Sequence, residues 1–167
     1  MVFQANPYSV LLVSASEKLN TAVLPLFPGS DFWPVTVVGS LSRAKRLLLQ
    51  QSYDLVVLNT PLPDGMGTDF AMKLCSETDA AVALLIRSEL YEETNAKALP
   101  AGVVVVSKPT NSQLLTQVIA EATIHAPKSA SWYHHAANVG TNMNIASSVV
   151  NTPRVLKTSL QLKVRVI

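Results

Sequence analysis

Residues 54–67 read DLVVLNTPLPDGMG, and this stretch decides the fold of the 167-residue chain. Leu55–Leu58 is an unbroken apolar run of strand length, which is typical of a strand buried on both faces near the middle of a parallel sheet. The Pro- and Gly-marked turn that follows predicts a loop leading into a helix that begins at Thr68. The turn is not a dinucleotide-binding fingerprint, because it follows the third predicted strand and lacks the third glycine.

Strand and helix patterns alternate on both sides of this stretch. Short apolar or β-branched runs predict five strands, at Tyr8–Val13, Val35–Val38, Leu55–Leu58, Ala81–Ile86 and Val103–Val106. Helical spacing predicts helices in the intervening segments and after the last strand. The first is capped by Ser14 or Ser16, and the second, Arg43–Gln51, by Ser40 or Ser42. The others are one from Thr68, Glu89–Leu99 and Thr110–Ala122. Such alternation implies right-handed crossovers. The fold class is therefore α/β, an open doubly wound parallel sheet.

The helix patterns also predict which side chains face the core. In the first helix we expect Leu19, Val23 and Leu24 on the inward face. In the last helix the corresponding residues are Leu114, Leu115, Val118 and Ile119. Cys75 lies at helical spacing in the third helix and is predicted to be a core residue, since no neighbouring base marks it as a nucleophile.

Composition divides the chain into two parts. Hydrophobic residues make up 49% and charged residues 14% of the sequence, enough for a substantial core. Residues 1–124 carry 8 Lys/Arg and 11 Asp/Glu, a net charge of −3, whereas residues 125–167 carry 5 Lys/Arg and no acid, a net charge of +5. We therefore predict a folded domain over 1–123 and a basic, Ser/Asn-rich, poorly ordered tail over 124–167. A single cysteine and the absence of a signal or membrane segment favour a cytoplasmic location.

Over residues 1–123 the chain resembles a bacterial response-regulator receiver domain of the CheY-like type. The resemblance rests on the five alternating units, the loop with Pro63 and Gly67 after the third strand, and Lys108-Pro109 after the fifth. It implies a flavodoxin-like sheet with strand order 2-1-3-4-5 and a cis peptide bond between Lys108 and Pro109. It also implies a site at the strand ends, where three acids hold magnesium, one of them accepts a phosphoryl group, and a hydroxyl and a lysine bind the phosphate.

The chain departs from that pattern at nearly every position of the site. The acidic pair is replaced by Ser14 and Ala15, and the phosphate acceptor by Asn59. The position of the hydroxyl is Arg87, and the position of the aromatic switch residue is Val105. Lys108 is retained. Magnesium prefers negatively charged oxygen ligands, so we expect no metal, no cofactor, no catalytic residue and no phosphorylation.

Two interpretations remain for the positive charges of Arg87 and Lys108. They could form an anion site for sulfate, phosphate or a partner's carboxylate. Alternatively, Arg87 extends into solvent or pairs with Glu17 or Glu89, and Lys108 donates hydrogen bonds to Asn59 and to nearby carbonyls. A magnesium ion near these two cations would meet a repulsion of several kcal/mol, on the order expected at the dielectric of a partly buried site.

These features predict a phosphorylation-independent pseudo-receiver, a non-enzymatic interaction module in bacterial signalling or transcription (anti)termination. The expected contact face comprises the fourth helix, the fifth strand and the fifth helix, with apolar contacts near Tyr91, Leu99, Leu115 and Val118, to a protein partner or in a homodimer. The sequences of residues 13–16 and 59–63 more weakly resemble the receiver half of ANTAR-type antiterminators, so RNA is a partner only if an output domain is present. The alternatives are a conventional phosphorelay receiver using Glu17 and Asp64, or a nucleotide- or flavin-binding enzyme.

Overall fold

The computed structural model describes residues 7–125, which form a single α/β unit. The basic tail was predicted over 124–167, and residues 126–167 lie outside the described residues, so its order and its boundary stay predictions. None of the helices in the described range is long and apolar enough to cross a membrane.

A five-stranded parallel sheet forms the centre of the domain. The strands are β1 (Tyr8–Val13), β2 (Phe32–Val38), β3 (Leu55–Asn59), β4 (Ala81–Arg87) and β5 (Val104–Lys108). Their order in the sheet is β2-β1-β3-β4-β5, with every pair parallel. The doubly wound fold and the strand order are therefore confirmed.

Five helices cover the sheet: α1 (Glu17–Val23), α2 (Leu41–Gln50), α3 (Thr68–Glu77), α4 (Tyr91–Ala98) and α5 (Ser112–His125). Of the two possible caps predicted for each of the first two helices, Ser16 caps α1 and Ser40 caps α2, each accepting a backbone N–H with its hydroxyl. The prediction of one helix over Glu89–Leu99 was too long. Short 3₁₀ turns precede and follow α4, at Ser88–Leu90 and Leu99–Ala101, and Pro100 lies where the α-helical hydrogen bonds have ended.

The core consists of two apolar layers, one on each face of the sheet. One layer packs the sheet against α2, α3 and α4, and contains Cys75, Leu58 and Leu84. The other packs it against α1 and α5, and contains Leu115, Val118 and Ile119. The expectation that Leu24 faces this core was wrong. It lies in a 3₁₀ turn after α1, which rotates its side chain out of the helical stripe, and it is 38% exposed.

Strands β1 and β3 are joined by polar contacts at the end where they begin. The buried carboxylate of Asp54 accepts hydrogen bonds from the backbone N–H and the hydroxyl of Ser9, both at 2.8 Å. The backbone N–H of Asp54 in turn donates to the carbonyl of Ser9 at 3.0 Å. These contacts lie at the opposite end of the strands from the candidate site.

Candidate functional site

Three of the predicted site residues meet at the carboxyl ends of β1, β3 and β5, the edge at which open α/β sheets place their sites. The side-chain N–H of Asn59 donates to the hydroxyl of Ser14 at 3.1 Å. The ammonium of Lys108 donates to the side-chain oxygen of Asn59 at 2.9 Å. Both Ser14 and Asn59 are buried. The result is a chain of hydrogen bonds, Lys108 to Asn59 to Ser14, in which the amide uses one end to accept and the other to donate.

Thr60 belongs to the same site, although sequence reasoning did not single it out. Its side chain is fully buried, and its hydroxyl donates to the carbonyl of Leu85 at 2.9 Å. Its own carbonyl accepts a hydrogen bond from the ammonium of Lys108. The peptide bonds Thr60-Pro61 and Lys108-Pro109 are both cis, as the resemblance implied for the second. A small polar residue directly after a buried strand was the available signal for Thr60.

Lys108 and Arg87 are neighbours on the sheet, because they are register partners in the pairing of β4 with β5. Burial lowers the pKa of Lys108, and the positive charge of Arg87 lowers it further. Arg87 is exposed and has no acid within 4.0 Å among residues 7–125. The predicted alternative with Arg87 in solvent and Lys108 bonded to Asn59 therefore describes the geometry, whereas pairing of Arg87 with Glu17 or Glu89 is not observed.

The remaining two predicted positions do not contribute polar groups to this network. Ala15 is exposed in the turn between β1 and α1. Val105 is 2% exposed and packs in the core layer beneath α3 and α4. A buried valine has neither the ring nor the free volume for the side-chain rotation that an aromatic switch residue requires.

 Asp64, in the loop after β3, caps a helix instead of joining the hydrogen bonds of Asn59. Its two carboxylate oxygens accept the backbone N–H groups of Leu41 and Ser42, at 2.9 and 2.8 Å, and so cap the N-terminus of α2. These hydrogen bonds lower the pKa of Asp64 to about 2. Glu17 is exposed at the first residue of α1. Neither acid takes part in the hydrogen bonds of Asn59, so the prediction of a metal site built from these two acids gains no support.

The residues at the strand ends do not fit the magnesium ion that receiver sites use. The polar groups of this hydrogen-bonded network are a hydroxyl, an amide, a backbone carbonyl and an ammonium, none of which is negatively charged. The amide oxygen, the best remaining ligand, already accepts a hydrogen bond from Lys108. In the part of the chain that the structure describes, no group of three or more His, Cys, Asp or Glu residues could hold a metal. A hard divalent cation requires anionic oxygens, and these residues supply none.

The face made by α4, β5 and α5 was expected to offer apolar contacts, but its exposed side chains are mainly polar. Leu115 and Val118 were expected near exposed contacts, but they are 7% and 2% exposed. The helical period of α5 directs both side chains towards the sheet. Tyr91 and Leu99 are half-buried. The exposed side of α4 instead carries an ion pair between Lys97 and Glu93, so this face is mainly polar.

The architecture and the location of the site define a doubly wound α/β domain whose polar site at the strand ends is built from a hydroxyl, an amide, a backbone carbonyl and an ammonium. Comparison with solved structures narrows this class: the domain has the fold of a response-regulator receiver domain of the CheY-like type. No protein-family model matches the chain, and no curated protein matches it.

Several solved receiver domains superpose over most of their length. The signal receiver domain of an HD domain-containing protein from Pseudomonas fluorescens Pf-5 has a TM-score of 0.63 and 20% identity, covering 84% of this chain and 98% of that one. The beryllofluoride-activated NtrC4 receiver domain dimer has a TM-score of 0.63 and 19% identity, with coverages of 71% and 98%. The non-phosphorylated HemR receiver domain from Leptospira biflexa has a TM-score of 0.59 and 25% identity, with coverages of 70% and 94%.

Proposed function

We propose that this domain is a phosphorylation-independent pseudo-receiver that acts as a regulatory interaction module in bacterial signal transduction. The observation that carries the proposal is the hydrogen-bonded chain from Lys108 through Asn59 to Ser14. In this arrangement the amide of Asn59 lies at the end of β3. Its N–H group donates to the neutral hydroxyl of Ser14, and its oxygen accepts from the cationic Lys108. An amide is a poor nucleophile towards phosphorus, and phosphoryl transfer depends on charge stabilisation that these residues do not provide.

The same hydrogen bonds favour one fixed conformation of the strand ends. In a two-state domain, a covalent or ligand input shifts the equilibrium only through a difference in its interaction with the two states. Here Lys108 is already bonded to Asn59 and Thr60, and Val105 is held in the core. Phosphorylation, the input of a conventional receiver, therefore has no group to act on. We infer that the domain presents the same binding surface at all times.

The partner in this proposal is a protein that binds the face made by α4, β5 and α5. The exposed charges on α4, among them Glu92, Glu93 and Lys97, make it suited to polar recognition rather than to burial of a large apolar area. A role in transcription (anti)termination would need an RNA-binding output domain, either in the same protein or in a partner.

Phosphorylation assays test the proposal directly. The full chain is incubated with acetyl phosphate and magnesium at neutral pH and examined by intact-mass spectrometry, beside a receiver that accepts phosphate from the same donor. We expect no phosphoryl adduct on the wild-type chain. The variant Asn59→Asp restores the acceptor alone and should also remain unmodified, because Ser14 and Ala15 still leave the metal without its acidic ligands.

A rebuilt site provides the matched control. In the triple variant Ser14→Asp, Ala15→Asp, Asn59→Asp, three carboxylates are returned to the strand ends, and magnesium should raise its Tm by preferential binding to the folded state. The wild-type chain should show no such shift. A phosphoryl adduct on the unmodified wild-type chain, or a magnesium-dependent rise in its Tm, would support a conventional receiver and contradict the proposal.

A further inference from the structure

Strand β2 forms an edge of the described sheet and carries no charged residue. Of its seven residues, Phe32 and Val35–Val38 pair with β1, and among the described strands none pairs with its other side. Two of its apolar side chains are substantially exposed: Trp33 by 68% and Val37 by 39%. Natural edge strands usually carry charges, often lysine, that hinder pairing with another strand. This edge has no such charge, and Pro34 and the register irregularity beside it, which also hinder pairing, lie before the regular stretch Val35–Val38.

The backbone of β2 offers hydrogen-bonding groups on its outer side. The carbonyl of Val38 accepts the N–H of Ser14 at 2.8 Å, so Val38 directs its backbone groups towards β1. Successive residues of a strand direct these groups to opposite sides. The groups of Val35 and Val37 therefore point to the outer edge. The regular pairing with β1 runs from Val35 to Val38, after an irregularity in register near Trp33 and Pro34.

We propose that this edge binds a second copy of the chain through antiparallel pairing of the two β2 strands about a two-fold axis at Thr36. Val35 of each copy then lies opposite Val37 of the other, and the outward N–H and C=O groups of both residues find partners. The contact is isologous and closed, because each copy contributes the same strand. The exposed side chain of Val37 gains an apolar neighbour in the opposite Val35.

Charge favours a second copy in this orientation. Asp31 is exposed immediately before β2, and Arg43 is exposed in the first turn of α2, which follows it. Antiparallel pairing places the beginning of one β2 beside the end of the other, so that Asp31 of one copy and Arg43 of the other lie at the same end of the contact. Each end of the contact then holds one charge of each sign, whereas parallel pairing would place charges of the same sign at the same end.

This inference does not depend on the proposed function. The β2 edge lies across the sheet from β5, so pairing there leaves the face of α4, β5 and α5 accessible. A chain that pairs through β2 yet accepts phosphate would contradict only the proposed function. A monomeric chain that accepts no phosphate would contradict only this inference.

Sedimentation velocity on the full chain over a range of concentrations tests the proposal. We expect a concentration-dependent dimer. Thr36 faces its own counterpart at the axis, so Thr36→Lys and Thr36→Glu should each weaken dimerisation by about tenfold or more, through like-charge repulsion. An equimolar mixture of the two variants should recover the dimer. The control is Leu49→Lys, which adds the same charge on α2 at an apolar side chain that is 89% exposed.

Amide hydrogen exchange of the wild-type chain gives a second measurement that needs no variant. The amides of Val35 and Val37 should become more protected as the concentration rises. A monomer at every concentration, or a dimer that both Thr36 variants leave unchanged, would overturn the proposal. Strong protection of these amides in a chain that sediments as a monomer would also overturn it, because something other than a second copy would then cover the edge.

Discussion

Lys108 donates to two oxygens at the end of β3, the side-chain oxygen of Asn59 and the carbonyl of Thr60. Burial and the charge of Arg87 oppose its ionisation, which lowers its pKa, but the hydrogen bonds compensate part of that cost. A lysine in such a position stabilises the strand ends without any anion. The side chain thus has a structural role that is independent of phosphate binding.

Replacing Lys108 by methionine tests this role. The change keeps most of the side-chain volume and leaves the oxygens of Asn59 and Thr60 without their donor, so we expect the free energy of unfolding to fall by about 1–3 kcal/mol. Urea denaturation followed by circular dichroism measures it. The control is Lys97→Met, which removes an exposed lysine from an i,i+4 pair with Glu93. Equal effects of the two changes would argue against a structural role for Lys108.

The sequence predicted the contact between Lys108 and Asn59 but not the one between Asn59 and Ser14. The first follows from the retained lysine and the shared edge of parallel strands. The second depends on the exact register of β1 against β3, and the apolar residues between them fit more than one register. The absence of carboxylates at these positions is a property of residue type alone, which is why sequence reasoning could identify it.

At the scale of the elements, α2 is held by a residue that lies 23 positions away. Asp64, in the loop after β3, accepts the backbone N–H groups of Leu41 and Ser42 and the hydroxyl of Ser42. Sequence reasoning offered Ser40 or Ser42 as the local cap of α2 and did not connect Asp64 with this helix. A cap supplied across the fold has no signal in the local pattern, because it depends on how the loop folds back towards α2.

The acid dependence of stability provides a test of this cap. The pKa of Asp64 is lowered from 3.8 to about 2 in the folded state. The contribution of the ionised carboxylate to stability is therefore complete above the pKa of the unfolded state, and it is lost as the pH falls through the pKa of the folded state. Asp64→Asn should lower the Tm at pH 7 and make it less sensitive to acid between about pH 4 and pH 2. Thermal unfolding measures both effects.

The control for this prediction is Asp79→Asn, which removes an exposed carboxylate from the turn between α3 and β4. It should leave the Tm at pH 7 nearly unchanged. If Asp64→Asn keeps the full acid sensitivity of the wild-type chain, the cap is not the source of the effect.

At the scale of the whole molecule, the sheet with its two apolar layers accounts for the stability of the domain. The alternation of apolar strands and amphipathic helices was sufficient to predict this architecture, since a parallel sheet must be covered on both faces. The strand limits were less accurate for β2. It begins at Phe32 rather than Val35. Phe32 packs against Phe27 and against Tyr8 of the neighbouring strand β1. The contact with Tyr8 joins residues far apart in the sequence, so local spacing does not reveal it.

Two leucines separate core packing from surface exposure. Leu84 in β4 is fully buried, so Leu84→Ala should lower the free energy of unfolding by about 2–5 kcal/mol. Leu49 in α2 is 89% exposed, and Leu49→Ala should change it by no more than about 0.5 kcal/mol. Urea denaturation of both variants makes the comparison. Similar losses would contradict the two-layer core described for β4.

The serines at the two ends of β1 have a further consequence for how the chain finds its native pairing. Ser9 meets Asp54 at one end, Ser14 meets Asn59 at the other, and each pair is separated by 45 positions. Between them lie only valines and leucines, which would interlock almost equally well after a slide of two residues. Such a slide would leave Asp54 and Asn59 buried without their hydroxyl partners. The polar pairs at both ends thus specify the alignment of β1 with β3, which the apolar residues between them do not specify.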